Sequence, residues 1–436
     1  MTRYFPFIII ICSLFLGIAS AQDVQNISVS IMTLEQAESL AMSQNPDVIS
    51  AWTEYRNAGT DLLSAWSLFL PSASLSGGWT RYNREMLSFR NDSLIFSRDR
   101  YSFSFSARYP LFAGGQDYLA LKQTKLAYDI ALLSFEDSRA QTRSVVYAAY
   151  FALVQAIKQS IVAQHSLDRA LEEEEITVQK RNLGSASDVD VSKMKVQVAQ
   201  KKLSDIEAKN AVHSSLEQLC QILNFPLDSS FMVDTMQVPP PVEDIPPLSV
   251  YLNQFENNRN IRQANIGIRS SKLAKLSSWL DYVPALDFSA GWSWSGYEFP
   301  DNSTPFADEA SSSYGLSLSW TIFSGTSRIA SIKKSAIALE QSELTLNTTK
   351  VSIEQQIRSA HREMIESAAS YELSVAQVED AQLTLNATRK RYEIGSTTLL
   401  ELLDTELLLE QSQLQEIATI TEFYTQQANI EWLIGQ

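Results

Sequence analysis

Tyr101-Ser102-Phe103-Ser104-Phe105-Ser106-Ala107-Arg108-Tyr109-Pro110 alternates large apolar side chains with small hydroxyls. Successive strand residues face opposite sides. Tyr101, Phe103, Phe105, Ala107 and Tyr109 therefore share one face of a strand, and Ser102, Ser104, Ser106 and Arg108 the other. Residues 285 to 295 keep the same period, setting Leu286, Phe288, Ala290, Trp292 and Trp294 against Asp287, Ser289, Gly291, Ser293 and Ser295. Residues 314 to 323 set Tyr314, Leu316, Leu318, Trp320 and Ile322 against Ser317, Ser319 and Thr321. Residues 73 to 82 repeat the pattern more weakly, with Ala73, Leu75 and Trp79 opposite Ser74, Ser76 and Thr80.

About ten residues is the length of a tilted strand crossing a bilayer, with aromatic girdles at its two interfaces. Trp79, Tyr101, Trp292, Trp294, Tyr314 and Trp320 are the girdle candidates. A half-buried soluble sheet would alternate too, but these polar faces are nearly all small hydroxyls, and no apolar helix face is free to cover the sheet. The pattern therefore fits lipid on one side and water on the other. Four strands leave two open edges, and unpaired backbone groups are not tolerated in hydrocarbon, so closure needs several chains. Two chains would supply eight strands and three would supply twelve, the latter leaving more lumen. The connections Asn83 to Arg100, of mixed charge, and Tyr297 to Ser313, with Glu298, Asp301, Asp308 and Glu309, are expected to be loops in solvent.

Outward from the strands, the sequence repeats. Trp66, Phe69, Leu70, Pro71, Gly78 and Trp79 match Trp279, Tyr282, Val283, Pro284, Gly291 and Trp292 at a constant shift. After a two-residue slip, Phe112, Gly114, Lys122, Gly184, Ser185 and Gln200 match Phe323, Gly325, Lys333, Gly395, Ser396 and Gln411. Residues 116 to 183 and 326 to 394 contain neither Gly nor Pro, and a helix over either would be roughly 100 Å long at 1.5 Å per residue. Gly184 and Gly395 end these stretches, as expected where a helix leaves through the left-handed region. Each is followed by a second stretch free of both breakers, so each copy reads as a long helix, a tight turn and a shorter return helix. Leu399, Leu402, Leu403, Leu407, Leu414, Ile417 and Ile420 recur at helical spacing, the mark of helices packed along one face. Helices alone would also suit a soluble coiled-coil scaffold.

The chain thus divides into a signal peptide at 1–21, an N-terminal helical segment at 22–71 and a first transmembrane β-hairpin at 72–111. A first long helical hairpin follows at 112–223, then a linker at 224–248 whose prolines, Pro226, Pro239, Pro240, Pro241, Pro246 and Pro247, bar any helix. The second copy comprises a helix at 249–283, a β-hairpin at 284–323 and a helical hairpin at 324–436. The signal reading rests on Arg3, the apolar run from Phe5 to Ile18 and the small residues Ala19-Ser20-Ala21. Cys12 lies inside that run, leaving Cys220 alone and no intramolecular disulfide in the mature chain. A formal net charge of −15 argues against nucleic acid as a partner.

Signal peptide, doubled unit, paired β-hairpins and long helical hairpins together resemble the TolC-like family of outer-membrane efflux channels. The second turn, from Tyr392 through Gly395 to Asp404, is similar to the family's Tyr-x-x-Gly turn with acidic residues six and nine positions later, here Glu401 and Asp404. The resemblance implies a homotrimer, with a twelve-strand barrel in the outer membrane of a Gram-negative bacterium and a helical periplasmic tunnel below it. It also implies a periplasmic adaptor and an inner-membrane transporter as partners, with the turns Leu183-Gly184-Ser185 and Ile394-Gly395-Ser396 as docking points. Glu401 and Asp404 would then line the axis of a closed tip, and Asp190 would tie Tyr392 to the neighbouring hairpin by a hydrogen bond. Thr397 stands where the best-known gate has an arginine, and Val189 where a threonine is usual, so no ionic latch is expected there.

Enzymatic chemistry finds no footing. His165, His213 and His361 lie in expected helices, without a second His or Cys at ligand spacing, and read as satisfied surface residues. His361-Arg362-Glu363-Met364 does not complete a zinc-protease motif. No metal and no cofactor is expected. A periplasmic adaptor would carry a single helical hairpin flanked by soluble β-domains, whereas this sequence has two hairpins.

Overall fold

The computed structural model describes residues 31–435 except 91–92, 230, 236–239, 242–244, 298 and 300–309. The expected signal segment and the acidic residues Glu298, Asp301, Asp308 and Glu309 lie outside the described residues.

Two helical hairpins dominate. Helices α1 (Leu34–Gln44) and α2 (Pro46–Trp66) precede the first, formed by α3 (Gln116–Asn182) and α4 (Asp188–Leu223). Short α5 (Leu248–Leu252) and α6 (Arg259–Leu280) precede the second, formed by α7 (Ser327–Glu393) and α8 (Leu399–Leu433). The long arms α3 and α7 each span 67 residues without a break, as their freedom from Gly and Pro allows. One 18-residue stretch of α3 is apolar enough in composition to cross a membrane, but it is one part of a much longer hairpin arm and is partly packed inside the chain.

The same asparagine device anchors each half at its equator. Asn45 caps α2 by accepting from the Asp47 and Val48 amides, and its side-chain amide donates to the Ile222 carbonyl at the end of α4, 2.9 Å away. Asn258 caps α6 through the Asn260 and Ile261 amides and donates to the Leu433 carbonyl at the end of α8, also at 2.9 Å. Each side chain thereby satisfies the start of one helix and the finish of another. An apolar core sits beside each: Val146, Tyr150, Leu153, Leu219 and Leu223 in the first half, and Ile261, Ile357, Met364, Phe423 and Leu433 in the second.

The linker is less irregular than its prolines suggest, because β4 (Met232–Val233) pairs in parallel with β1 (Ile31–Met32). Tyr150 donates to the Met32 carbonyl over 3.2 Å and holds this clasp against α3. His361, expected at the surface, is buried, with Nε2 3.0 Å from the Pro246 carbonyl oxygen and its ring against Tyr251.

A four-stranded antiparallel sheet runs in the order β2 (Ser72–Arg90), β3 (Ser93–Ala113), β5 (Ala285–Gly296), β6 (Ala310–Ser319). Two boundaries differ from the sequence expectation. The first connection is not a charged loop from residue 83, since β2 and β3 continue as a paired ribbon as far as Arg90 and Ser93 after an irregularity between Arg81 and Met86. Its charges face one another across the strands, with Arg81 3.9 Å from Asp99 and Arg98 3.6 Å from Glu85. The last strand begins at Ala310 and stops at Ser319, four residues earlier than expected, because its partner β5 starts only after Pro284 and the ladder ends with Ala285 opposite Ser319.

Candidate functional site: a two-faced sheet and two hairpin tips

The register makes each face of the sheet continuous. Leu75, Phe105 and Trp292 stand side by side across β2, β3 and β5, as do Gly77, Phe103 and Trp294. Ala290 and Phe288 pair with Tyr314 and Leu316 on β6. On the reverse face Ser74 bonds Ser106 at 2.8 Å, Ser76 bonds Ser104 at 2.7 Å and Ser293 bonds Ser311 at 3.1 Å. The charged pair Arg108 and Asp287, 3.0 Å apart, lies on this hydroxyl face.

Of the aromatic candidates, Trp79, Tyr314 and Trp320 are exposed and Tyr101 and Trp292 half-buried. Trp294 does not belong with them: it is only 3% exposed, its ring 5.9 Å from Phe103, while Phe299 folds over Phe103 and Tyr101. Trp320 lies beyond the end of β6 and donates from its indole nitrogen to the Tyr282 carbonyl at 3.0 Å.

At the far end of the helices the two turns share one backbone. Gly184 and Gly395 have φ of 79° and 77°, and the amides of Ser185 and Ser396 each bond back at 2.8 Å, to Lys180 and Arg391 respectively. Ser187 and Thr398 then cap α4 and α8. Leu183 and Ile394 project from the turns, 82% and 80% exposed. Beside the turns, Met194, Leu385, Tyr392, Leu399, Leu402 and Leu409 form a third apolar cluster.

Tyr392 does tie the second hairpin to the first, but not through Asp190. Its hydroxyl bonds Thr177 Oγ1 on α3 at 3.0 Å, and the Lys180 ammonium lies 3.6 Å from its ring centre while donating to its carbonyl. Burial raises the Tyr392 hydroxyl above its usual range and lowers the Lys180 ammonium below its own. Asp190 is occupied at home. It accepts from the Ser187 amide at 3.0 Å and the Ser187 hydroxyl at 2.7 Å, and these bonds hold its carboxyl below the usual range. As the third residue of its helix, Asp190 completes a capping box with Ser187, which leaves Tyr392 to find the hydroxyl of Thr177 instead.

Of the two expected axial acids, Glu401 accepts from Arg391 at 3.3 Å and from the Thr397 hydroxyl. Asp404 is exposed, with no hydrogen bond or ion pair among the described residues. Sequence reading missed a polar seam where α3 and α4 meet α7 and α8, made of Arg169 and Glu173 on α3, Lys201 on α4, Arg389 on α7, and Glu406 and Glu410 on α8. No group of His, Cys, Asp and Glu among the described residues is arranged to hold a metal ion.

Comparison with known proteins places this architecture. The family model described as "Outer membrane efflux protein" matches residues 38–224 and 252–436. The chain is 23% identical over 421 residues to outer membrane protein TolC of Escherichia coli, covering 92% of this chain and 83% of that protein. It is 23% identical over 347 residues to the alkaline protease secretion protein AprF of Pseudomonas aeruginosa, covering 77% of this chain and 70% of that one. Among solved structures, the Campylobacter jejuni CmeC outer membrane channel superposes with a TM-score of 0.80 at 16% identity, over 92% of this chain and 85% of that one.

Proposed function

The chain belongs to the outer membrane efflux protein family, and from that premise we propose that three copies close into one exit duct spanning the outer membrane and reaching into the periplasm. In the closed trimer, four strands from each copy form a twelve-strand barrel, and the helical hairpins continue it as a tunnel. The observation that carries this reading is the sheet: one face of Phe, Trp, Leu and Tyr, the other of bonded serines, and two edges, β2 and β6, without a partner strand among the described residues. A neighbour's β2 laid along β6 would satisfy both edges and put the hydroxyl face toward a water-filled lumen.

At the periplasmic end, the turns at Leu183-Gly184-Ser185 and Ile394-Gly395-Ser396 offer exposed apolar side chains on stiff backbones, which suits docking of an adaptor that connects the duct to an inner-membrane transporter, in an efflux or type I secretion assembly. Tyr392, held by Thr177 and Lys180, keeps the second hairpin against the first and so holds the tip closed. Glu401 and Asp404 then form a ring of carboxylates about the threefold axis. Two such charges ~6 Å apart repel by about 3 kcal/mol at an effective dielectric near 20, which favours bound cations. Because Arg391 already neutralises Glu401, Asp404 is the stronger of the two.

Conductance of the purified protein in planar bilayers tests this directly. Small cation-selective currents blocked by divalent ions are expected, with Asp404→Ala relieving the block more than Glu401→Ala. Absence of current from the correctly assembled protein would sink the channel reading, and unchanged divalent block in the double variant would sink the assignment of the ring.

A further inference from the structure

The polar seam above the tip contains two carboxylates where the chain has few reasons to bury any. Glu173 on α3 is 1% exposed, and neither of its oxygens accepts an aligned hydrogen bond, although one lies 2.9 Å from Nε of Arg389 on α7. Glu406 on α8 is 7% exposed, one turn from the Lys201–Glu410 ion pair that joins the hairpins, and near enough to Glu173 to feel its charge. Every element around the pair brings charge to it: Arg169 and Glu172 from α3, Lys201 from α4, Arg389 and Glu393 from α7, and Glu410, paired with Lys201, from α8. Arg169, Lys201 and Arg389 draw Glu406 down and Lys180 faces Glu173, but Lys201 is paired with Glu410, Arg389 with Glu172 and Glu173, and Lys180 donates to the Tyr392 carbonyl, so burial and the Glu173 charge outweigh them at Glu406. Glu406 is thus buried near a second buried carboxylate, an arrangement in which burial and like charge both favour its protonated form.

We propose that Glu173 and Glu406 form a proton-operated clasp between the two hairpins: with one proton on the pair the second hairpin stays seated on the first, and loss of that proton loosens it. The clasp rests on the reading of the tip as a gate, and it adds the signal that biases the gate. Burial first, and then the charge of Glu173, push Glu406 up to about 7 in the seated arrangement, against an ordinary glutamate value of 4.5 once the seam parts and water enters. The seated form therefore binds the proton more tightly, and raised pH disfavours it. Its advantage is full at and below 4.5, falls as pH rises toward 7, and changes no further above that. One unit of separation is a tenfold bias, so the whole window can change the ratio of loosened to seated hairpins by roughly three hundredfold.

The test uses the full-length assembled protein, with hydrogen exchange of residues 399–410 and bilayer conductance followed together from pH 5 to pH 8. Wild type is expected to exchange faster and conduct more as pH rises, and then to level off. Glu406→Gln, which mimics the protonated acid, is expected to stay protected and poorly conducting throughout. Glu173→Gln removes the like charge and is expected to move the transition to lower pH. A flat wild-type exchange profile, or a Glu406→Gln protein that keeps the wild-type transition, would overturn the clasp. A protein that never conducts but shows the expected exchange transition would overturn the channel reading and leave the clasp standing.

Discussion

At the first hairpin turn Arg181, three residues before Gly184, reaches out to Asp188 at 2.8 Å across open solvent; at the second turn the matching residue, Tyr392, points inward and is gripped by Thr177 and Lys180. The backbones of the two turns agree to within a few degrees and tenths of an ångström, so the divergence lies in what each side chain touches. At the opposite end of the same hairpins the asparagine anchor has not diverged: Asn45 and Asn258 cap, and donate, in the same way. The duplicated fold keeps its anchors alike where the halves share a rigid equator, and differs where one half grips the other. That contrast separates parts that hold the duct together from parts that can let go.

The contrast can be broken most severely by Tyr392→Arg, which gives the second turn the residue of the first. Losing a buried aromatic and placing a cation beside Lys180 should cost about 3 to 5 kcal/mol at the tip, and the checks are raised conductance at fixed pH and lost exchange protection over residues 399–410. Retained closure would mean that Tyr392 is not the grip. Next in size, Asn45→Ala and Asn258→Ala should each cost about 2 kcal/mol, through a lost cap and an orphaned carbonyl. Thermal melts should show the two variants lowering Tm alike with the tip still shut; a large difference between them would contradict the shared-anchor view. The smallest effect belongs to Arg181→Ala, because Arg181 and Asp188 are 51% and 82% exposed and such surface pairs contribute at most about 1 kcal/mol. Tip conductance should not change.

Much of this plan is legible in the order of residues because it depends on period and on helix breakers. Ser and Phe alternating from Tyr101 to Tyr109, and long stretches free of Gly and Pro, are local signals that need no knowledge of neighbours. Where the reading failed, the deciding contact was distant. The charges between Asn83 and Arg100 look like a loop until Arg98 is seen opposite Glu85 and Arg81 opposite Asp99. Trp294 looks like a girdle residue until Phe103 and Phe299 close around it. The partner of Tyr392 is Thr177, 215 residues earlier, and no spacing rule selects it over Asp190; only the capping box that occupies Asp190 could have hinted at the exchange. The buried seam was invisible for the same reason, since Glu173 and Glu406 read along the chain as ordinary solvated helix residues.

Which side of the sheet meets water decides whether these strands can line a duct. Single cysteines placed in turn at Ser289, Ser293, Ser313 and Ser317, and at Phe288, Trp292, Leu316 and Leu318, in protein reconstituted into liposomes, can be challenged with a membrane-impermeant maleimide that enters only through water. The native Cys220 is buried and serves as the unreactive background. The serine positions should label and the apolar positions should stay protected, alternating residue by residue along β5 and β6. Equal labelling of both sets, or labelling of the apolar set alone, would contradict the claim that the hydroxyl face lines the duct.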